Sequence, residues 1–389
     1  MPSDLYNEED EDIYGIPRRV NEAHTRWNLP SRRKLLPVIA ILGLILLGWT
    51  AWPTSSKTDW SRFAYVSYAT DDNSLCSAYM LFEALDRLGS KAERVLLYNA
   101  QWATESEGGT TRPSALLTRA ERQYHVRIKP VQLLDERGET ALGTLDRPST
   151  WDTSITQLRA FELTEYDRVL SLENDITLYQ NLDELFLLPK TPVAMPRRYW
   201  THSLPGQPRP LSSMMVLLEP NPAELQNMLD MLRSWRMDPK TSVRRGFTAQ
   251  LLDNRFGASA LVIPHRPYAL SSAEFRRRDH AVYLGTVNAP QSQKSSWDAD
   301  AVLKEAKLVH FNDWPLPKPY VMWPHDAVLE IQPNCSALHP GNDAAYSCRE
   351  REIWKDLYND FRLRRKDLCA LLSVSAPNWA DWKKRAGAG

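Results

Sequence analysis

The stretch YDRVLSLENDITLYQNLDELF, residues 166–186, sets two carboxylates one residue apart at the end of a short apolar run. Val169 to Leu172 read as a buried strand, and Glu173-Asn174-Asp175 follow it directly. In open α/β sheets ligands bind beyond the carboxyl ends of the strands, so an acidic-x-acidic turn there stands where a site belongs. Carboxylate oxygens hold hard divalent cations, and such a cation neutralises a departing diphosphate. Standing alone the tripeptide is a weak signal, because such a turn is more often simply solvated.

A second stretch, VHFNDWPLPKPY at 309–320, strengthens it. His310 closes another apolar run, and imidazole suits a borderline metal such as manganese. Lys318 lies between Pro317 and Pro319, which stiffen its loop, and its ammonium can meet a phosphate as a point charge. By themselves these two residues read as a core histidine and a surface lysine.

Strands and helices must carry these residues to one place. FAYVSY at 63–68, RVLLY at 94–98, 126–133, 168–172, 211–218 and 306–311 read as strands. Helical spacing marks 75–88, stopped by Gly89, and 113–123, 155–164, 222–235 and 350–370. Residues 270–300 read as a long loop. Alternating strands and helices in the first half predict an α/β fold with a parallel sheet.

The chain has 389 residues, 43% hydrophobic, enough for one large domain or two modest ones. Lys plus Arg and Asp plus Glu both number 48, so no electrostatic argument favours nucleic acid as a partner. Residues 1–34 are polar and acidic and read as a disordered cytosolic tail. Residues 35–52, LLPVIAILGLILLGWTAW, carry no charge and would span roughly 27 Å as a helix. Arg32, Arg33 and Lys34 flank the near side, so the positive-inside rule keeps the tail cytosolic and sends the body across the membrane. A cleaved signal peptide is the runner-up. A stem follows at 53–61, then a main domain at 62–330 and a helical extension at 331–389.

A lumenal body permits disulfides. Cys335 and Cys348 close a short loop and are the expected pair, whereas Cys76, in an apolar helix pattern, reads as a buried thiol. No spacing resembles a zinc site. Asn334-Cys335-Ser336 is a glycosylation sequon.

The order of strand, helix, acidic-x-acidic turn and His…Lys-Pro-aromatic resembles glycosyltransferase family 8, the glycogenin-like retaining transferases. The segments YDRVLSLENDITLYQNLDELFLLP, ALVIPHRPYALSSAEFR, AKLVHFNDWPLPKPY and CREREIWKDLYNDFRLRRKDLC resemble its fungal Golgi members more closely. The likeness spans residues 62–370. It implies a GT-A fold, a mixed nucleotide-sugar-binding sheet flanked by helices, behind a single-pass Golgi anchor. It implies manganese, a UDP-sugar donor, a glycan or glycoprotein acceptor, and transfer of a sugar, N-acetylglucosamine in those relatives, with retention. Residue by residue, Glu173, Asp175 and His310 take the metal-binding places and Lys318 the diphosphate contact. Thr70, Asp71, Asn73 and Asn174 fall in the donor site, and Gln250 takes the sugar-facing place. Three positions depart from the pattern: Glu173 replaces a shorter aspartate, Gln157 a lysine, and Thr248 an aspartate. Arg159 is the nearest substitute for the lysine. These departures keep a rival open, a degenerate transferase that binds sugar nucleotide or scaffolds partners. A membrane-tethered hydrolase is weaker, since no nucleophile elbow or zinc signature occurs and the two carboxylates share one turn.

Overall fold

Apolar runs without alternation predict strands buried on both faces, and the computed structural model bears this out. It describes residues 58–102, 111–135, 154–201, 206–237, 247–287, 297–313, 316, 318–333, 335, 348–376 and 378–387. The apolar segment 35–52, the tail and Asn334 lie outside them. Among the described residues no helix is long and apolar enough to cross a membrane. Residues 59–389 form one compact unit.

Strand β1 (Phe63–Ala69) leads into helix α1 (Asp72–Arg87), then β2 (Glu93–Asn99), α2 (Arg112–Tyr124) and β3 (Val126–Val131). These are right for a parallel α/β unit, and β1 pairs β2, and β2 pairs β3, in parallel. Next come β4 (Arg168–Leu172), β5 (Ile176–Leu178), β6 (Val193–Pro196) and β7 (Met215–Leu218). Helices α3 (Pro222–Met237) and α4 (Phe247–Phe256) precede β8 (Leu261–Ile263), β9 (Leu270–Ser271) and β10 (Leu308–His310). Helix α5 (Arg349–Cys369) follows.

The main sheet has 7 strands in the order β3-β2-β1-β4-β7-β6-β8. It is mixed rather than wholly parallel: β7 runs antiparallel to both β4 and β6. Successive residues face opposite layers. Tyr65, Leu96, Leu170 and Leu217 pack in the layer that holds Phe82 of α1 and Phe361 of α5. Val66, Val95, Val169 and Val216 face Met228 and Leu232 of α3 and Leu251 of α4. A small sheet, β5-β10-β9, stands beside it.

Helix α1 starts with a capping box between Asp71 and Ser74 and stops at Gly89, whose φ of 66° suits a residue without Cβ. Helix α5 is tied to α1 by a disulfide, Cys76–Cys369, with a Cα separation of 5.9 Å. This corrects the reading of Cys76 as a buried thiol: its partner lies 293 positions away, beyond any local pattern. Cys335–Cys348 is the second disulfide, as expected.

Three other expectations change. Residues 155–164 form a 3-10 helix, Ser154–Glu162, buried through Ile155, Leu158 and Phe161. The strand expected at 211–218 shrinks to β7: Leu211 bridges Arg197 and the Ser212 N–H donates to the Pro196 carbonyl, but Ser213 gives its hydroxyl to Glu173 and its carbonyl to Gln157. The expected loop 270–300 holds β9, a 3-10 helix Ser272–Arg276 and a helix Ala281–Leu284. Its polar residues are buried with partners: Ser272 donates to Asp313, and Glu274 pairs with His280 at 2.8 Å.

Candidate metal and nucleotide-sugar site

Four strand ends meet at one edge of the main sheet. β4 is parallel to β1 and antiparallel to β7, which is antiparallel to β6, so β1, β4 and β6 all end at that edge and β7 begins there. β1 delivers Thr70, β4 delivers Glu173 to Asp175, β6 delivers Arg198, and Ser212 and Ser213 precede β7. They line a cavity of about 230 Å³ together with Tyr68, Trp200 and Thr248.

The small sheet brings His310 in. β5 and β10 pair antiparallel with His310 opposite Ile176, so His310 stands next to Asp175, and the Phe311 N–H donates to the Asp175 carbonyl at 2.9 Å. Ligand atoms of Glu173, Asp175 and His310 lie within 4.8 Å of one another. The His310 Nε2 is 3.4 Å from a carboxylate oxygen of each. Lys318 donates to Asp175 Oδ2 at 2.6 Å. Ser213 donates to Glu173 Oε1 at 2.5 Å, and Gln157 donates to the Ser213 carbonyl at 2.8 Å.

Burial would push the Asp175 carboxyl up, but the Lys318 ammonium and the His310 ring hold it well below the usual carboxylate range. Burial would lower His310, yet Asp175 and Glu173 raise it to about 9. Lys318 is likewise raised against its burial by Asp175. Burial pushes the Tyr68 hydroxyl far up, with Glu173, Asp175 and Asp71 adding to it, so Tyr68 faces the cavity as a neutral phenol.

The expected residues divide. Glu173, Asp175, His310 and Lys318 converge, and Thr70 and Asn174 line the same cavity. Asn174 is also structural: its amide donates to the Tyr68 carbonyl at 2.7 Å and accepts from Ser67 at 2.7 Å. Asp71 is spent on the cap of α1, where it accepts from the Ser74 N–H at 2.7 Å. Asn73 is held by the buried Arg365 of α5 and does not line the cavity. Arg159 is turned away, with its guanidinium on the Gln132 carbonyl and on Glu162 at 2.9 Å. It therefore does not replace the lysine missing at Gln157. Gln250 lies on α4 outside the cavity wall, whereas Thr248 and Ala249 form part of it. Thr248 Oγ1 meets Ser154 Oγ at 3.3 Å.

Sequence reasoning missed Ser213 and Arg198. The signal for Arg198 was present: Arg197-Arg198 follow the apolar run VAM at a strand end, as Glu173 does. Burial lowers the Arg198 guanidinium, with Asp253 and Glu173 opposing.

The donor set fits a divalent cation. Two carboxylates and one imidazole offer O, O and N ligands, and the buried Asp175 Oδ1 makes no hydrogen bond and has the His310 Nε2 beside it at 3.4 Å, an ion-pair contact that a cation can take over. A buried, charged oxygen without a donor is costly, and a cation satisfies it.

Comparison with known proteins gives close relatives in sequence. Glucose N-acetyltransferase 1 of Aspergillus fumigatus is 42% identical over 314 residues, covering 80% of this chain and 78% of that protein. Glucose N-acetyltransferase 1 of Gibberella zeae is 37% identical over 329 residues, covering 84% of this chain and 66% of that protein. No family model matches. Among solved structures, the galactosyltransferase LgtC aligns over 82% of this chain and 99% of its own with a TM-score of 0.46 and 11% identity. The glycosyltransferase GlyE of Streptococcus pneumoniae TIGR4 aligns over 82% of this chain and 66% of its own, with a TM-score of 0.43 and 12% identity. These structural likenesses are distant.

Proposed function

The chain belongs to the glucose N-acetyltransferase family, and from that premise we propose that it is a metal-dependent retaining glycosyltransferase of GT-A type. Its donor is a UDP-sugar, with N-acetylglucosamine the first candidate, and its acceptor a glycan or glycoprotein. The observation that carries this reading is the Glu173–Asp175–His310 cluster at the strand edge, half-buried at Glu173 and buried at the other two, within reach of Lys318. The family name taken literally describes acetyl transfer to a sugar nitrogen. A paired-carboxylate clasp is better suited to a diphosphate leaving group than to a thioester.

Glu173, Asp175 and His310 would hold manganese or a similar divalent cation. Bound there, the cation would neutralise the charge gathering on the departing diphosphate. Ser213 holds the Glu173 carboxylate in place, and Lys318 fixes Asp175 while contributing positive charge to the same spot. Glu173 and Asp175 are the carboxylates that line the cavity, and both belong to the clasp. No further carboxylate among the described lining residues stands ready as a covalent nucleophile. Transfer with retention, as proposed, then proceeds on one face: the acceptor oxygen bonds to the anomeric carbon as the bond from that carbon to the phosphate oxygen breaks. The leaving phosphate oxygen takes the acceptor proton.

We place the body in the Golgi lumen, anchored through residues 35–52. Two disulfides and no free cysteine support an oxidising compartment. The degenerate reading draws on Gln157 and Thr248, which bring no charge to the wall.

The test is release of UDP from UDP-N-acetylglucosamine with manganese, for the natural chain and for Asp175→Asn. Manganese-dependent release that falls at least about 100-fold in the variant supports turnover at this clasp. Donor binding without release, across a panel of acceptors, supports the degenerate reading instead.

A further inference from the structure

Arg198 leaves the end of β6 with its backbone pinned: its N–H donates to the Pro210 carbonyl at 2.9 Å, and neighbouring Arg197 bridges Leu211. Its side chain enters the wall of the cavity that holds Glu173, Asp175 and His310. The other cations there are engaged. Lys318 meets Asp175 at 2.6 Å, and His310 lies between the two carboxylates. Arg198 makes no side-chain hydrogen bond or ion pair among the described residues, and its Nε is buried without a partner. The carboxylates nearby are occupied: Glu173 Oε1 by Ser213 and Asp253 Oδ1 by the Leu211 N–H. The residue is half-buried, with Nε shut off and the two terminal nitrogens unpartnered, so the fork is free to take an anionic ligand in the cavity. The planar fork of arginine matches two oxygens of a phosphate.

We infer that Arg198 is an anion-binding residue of this cavity, which takes phosphate oxygens of a nucleoside diphosphate sugar from the β6 side. The inference rests on the proposed function for the identity of the ligand, though not for its charge. It supplies from β6 a cation that neither Gln157 nor Arg159 brings to the wall.

The experiment uses the full chain in detergent, natural and with Arg198→Gln or Arg198→Lys. Each protein is titrated with inorganic pyrophosphate and with UDP-N-acetylglucosamine, both with manganese present, and melted without ligand. The expected result is a roughly 10- to 100-fold loss of affinity for both anions in Arg198→Gln. Arg198→Lys recovers part of it, and manganese binding alone is unchanged. The ligand-free Arg198→Gln protein melts no lower than the natural one, because the Arg198 side chain holds no hydrogen-bond partner in the fold. Unchanged pyrophosphate affinity, or a lowered melting temperature, would make Arg198 a structural residue and overturn the inference. Pyrophosphate binding that needs Arg198, without any binding of the UDP-sugar, would keep the inference and remove the donor. Sugar-nucleotide binding unaffected by Arg198→Gln would do the reverse. Failure of the natural chain to bind either anion would remove both.

Discussion

Asp175 sits between two positive partners, and His310 between two negative ones, so the clasp is charge-balanced without an ion. His310 has an ordinary value of 6.5 and stands at about 9 in the fold. In the metal-free protein its stabilising contribution is complete below about pH 6.5 and is lost as the pH rises through about 9. A divalent cation needs the neutral ring, so it must displace that proton. Manganese binding at pH 7 is expected to release about one proton per chain, and its affinity to climb up to about tenfold per pH unit toward pH 9. Calorimetry in buffers of different protonation heat counts the protons, and a count near zero would deny His310 a place among the ligands. At this scale the sequence was partly legible. Glu173, Asp175 and His310 announce themselves by ending apolar runs. Asp71 and Asn73 sit in an equally promising turn, yet the cap of α1 and Arg365 take them. Which partner claims a polar residue is decided by tertiary neighbours, and those are remote in the chain.

The elements tell the same story with different causes. The strand at 168–172 was read with its true bounds, because burial on both faces leaves Val169, Leu170 and Leu172 in a run broken only by the buried Ser171. The stretch 270–300 read as loop because its buried apolar residues, Leu270, Phe275 and Tyr283, are scattered among buried polar ones such as Ser271, Ser272 and Glu274. Asp313 explains how they are tolerated. Fully buried, it pairs with Arg276 and accepts from Trp354 Nε1 at 2.6 Å and Tyr358 at 3.2 Å, both on α5. One carboxylate thus joins the segment after His310 to the 3-10 helix at Ser272–Arg276 and to α5. Asp313→Ala strips the half-buried Arg276 and the Trp354, Tyr358 and Ser272 donors of their shared acceptor, and a loss of about 2–4 kcal/mol is expected. Chemical unfolding measures it, and a loss under about 1 kcal/mol would mean that α5 docks by apolar packing alone. Because Asn312 and His310 adjoin this anchor, manganese affinity should fall in the same variant.

Across the whole molecule, α5 belongs to the body rather than to a detachable tail. Arg365 is buried, bonds Asn73 at the start of α1, and lies 5.0 Å over the ring of Tyr320 in the cavity wall. The Cys76–Cys369 bond closes the same contact covalently. By the chain-entropy account a loop of this length stabilises by about 6 kcal/mol, against about 3 for a short one. Cys369→Ser is therefore expected to lower the melting temperature more than Cys348→Ser, and equal shifts would argue that strain or residual structure outweighs loop length. The length of that loop also sets a timetable. At about 5–20 residues per second, synthesis needs roughly 15 to 60 s to travel from Cys76 to Cys369. Cys335 and Cys348 emerge before Cys369, so Cys76 meets two unsuitable thiols while its proper partner is still unmade. Correct pairing must then either wait for the last part of the chain or undo an earlier bond by thiol exchange.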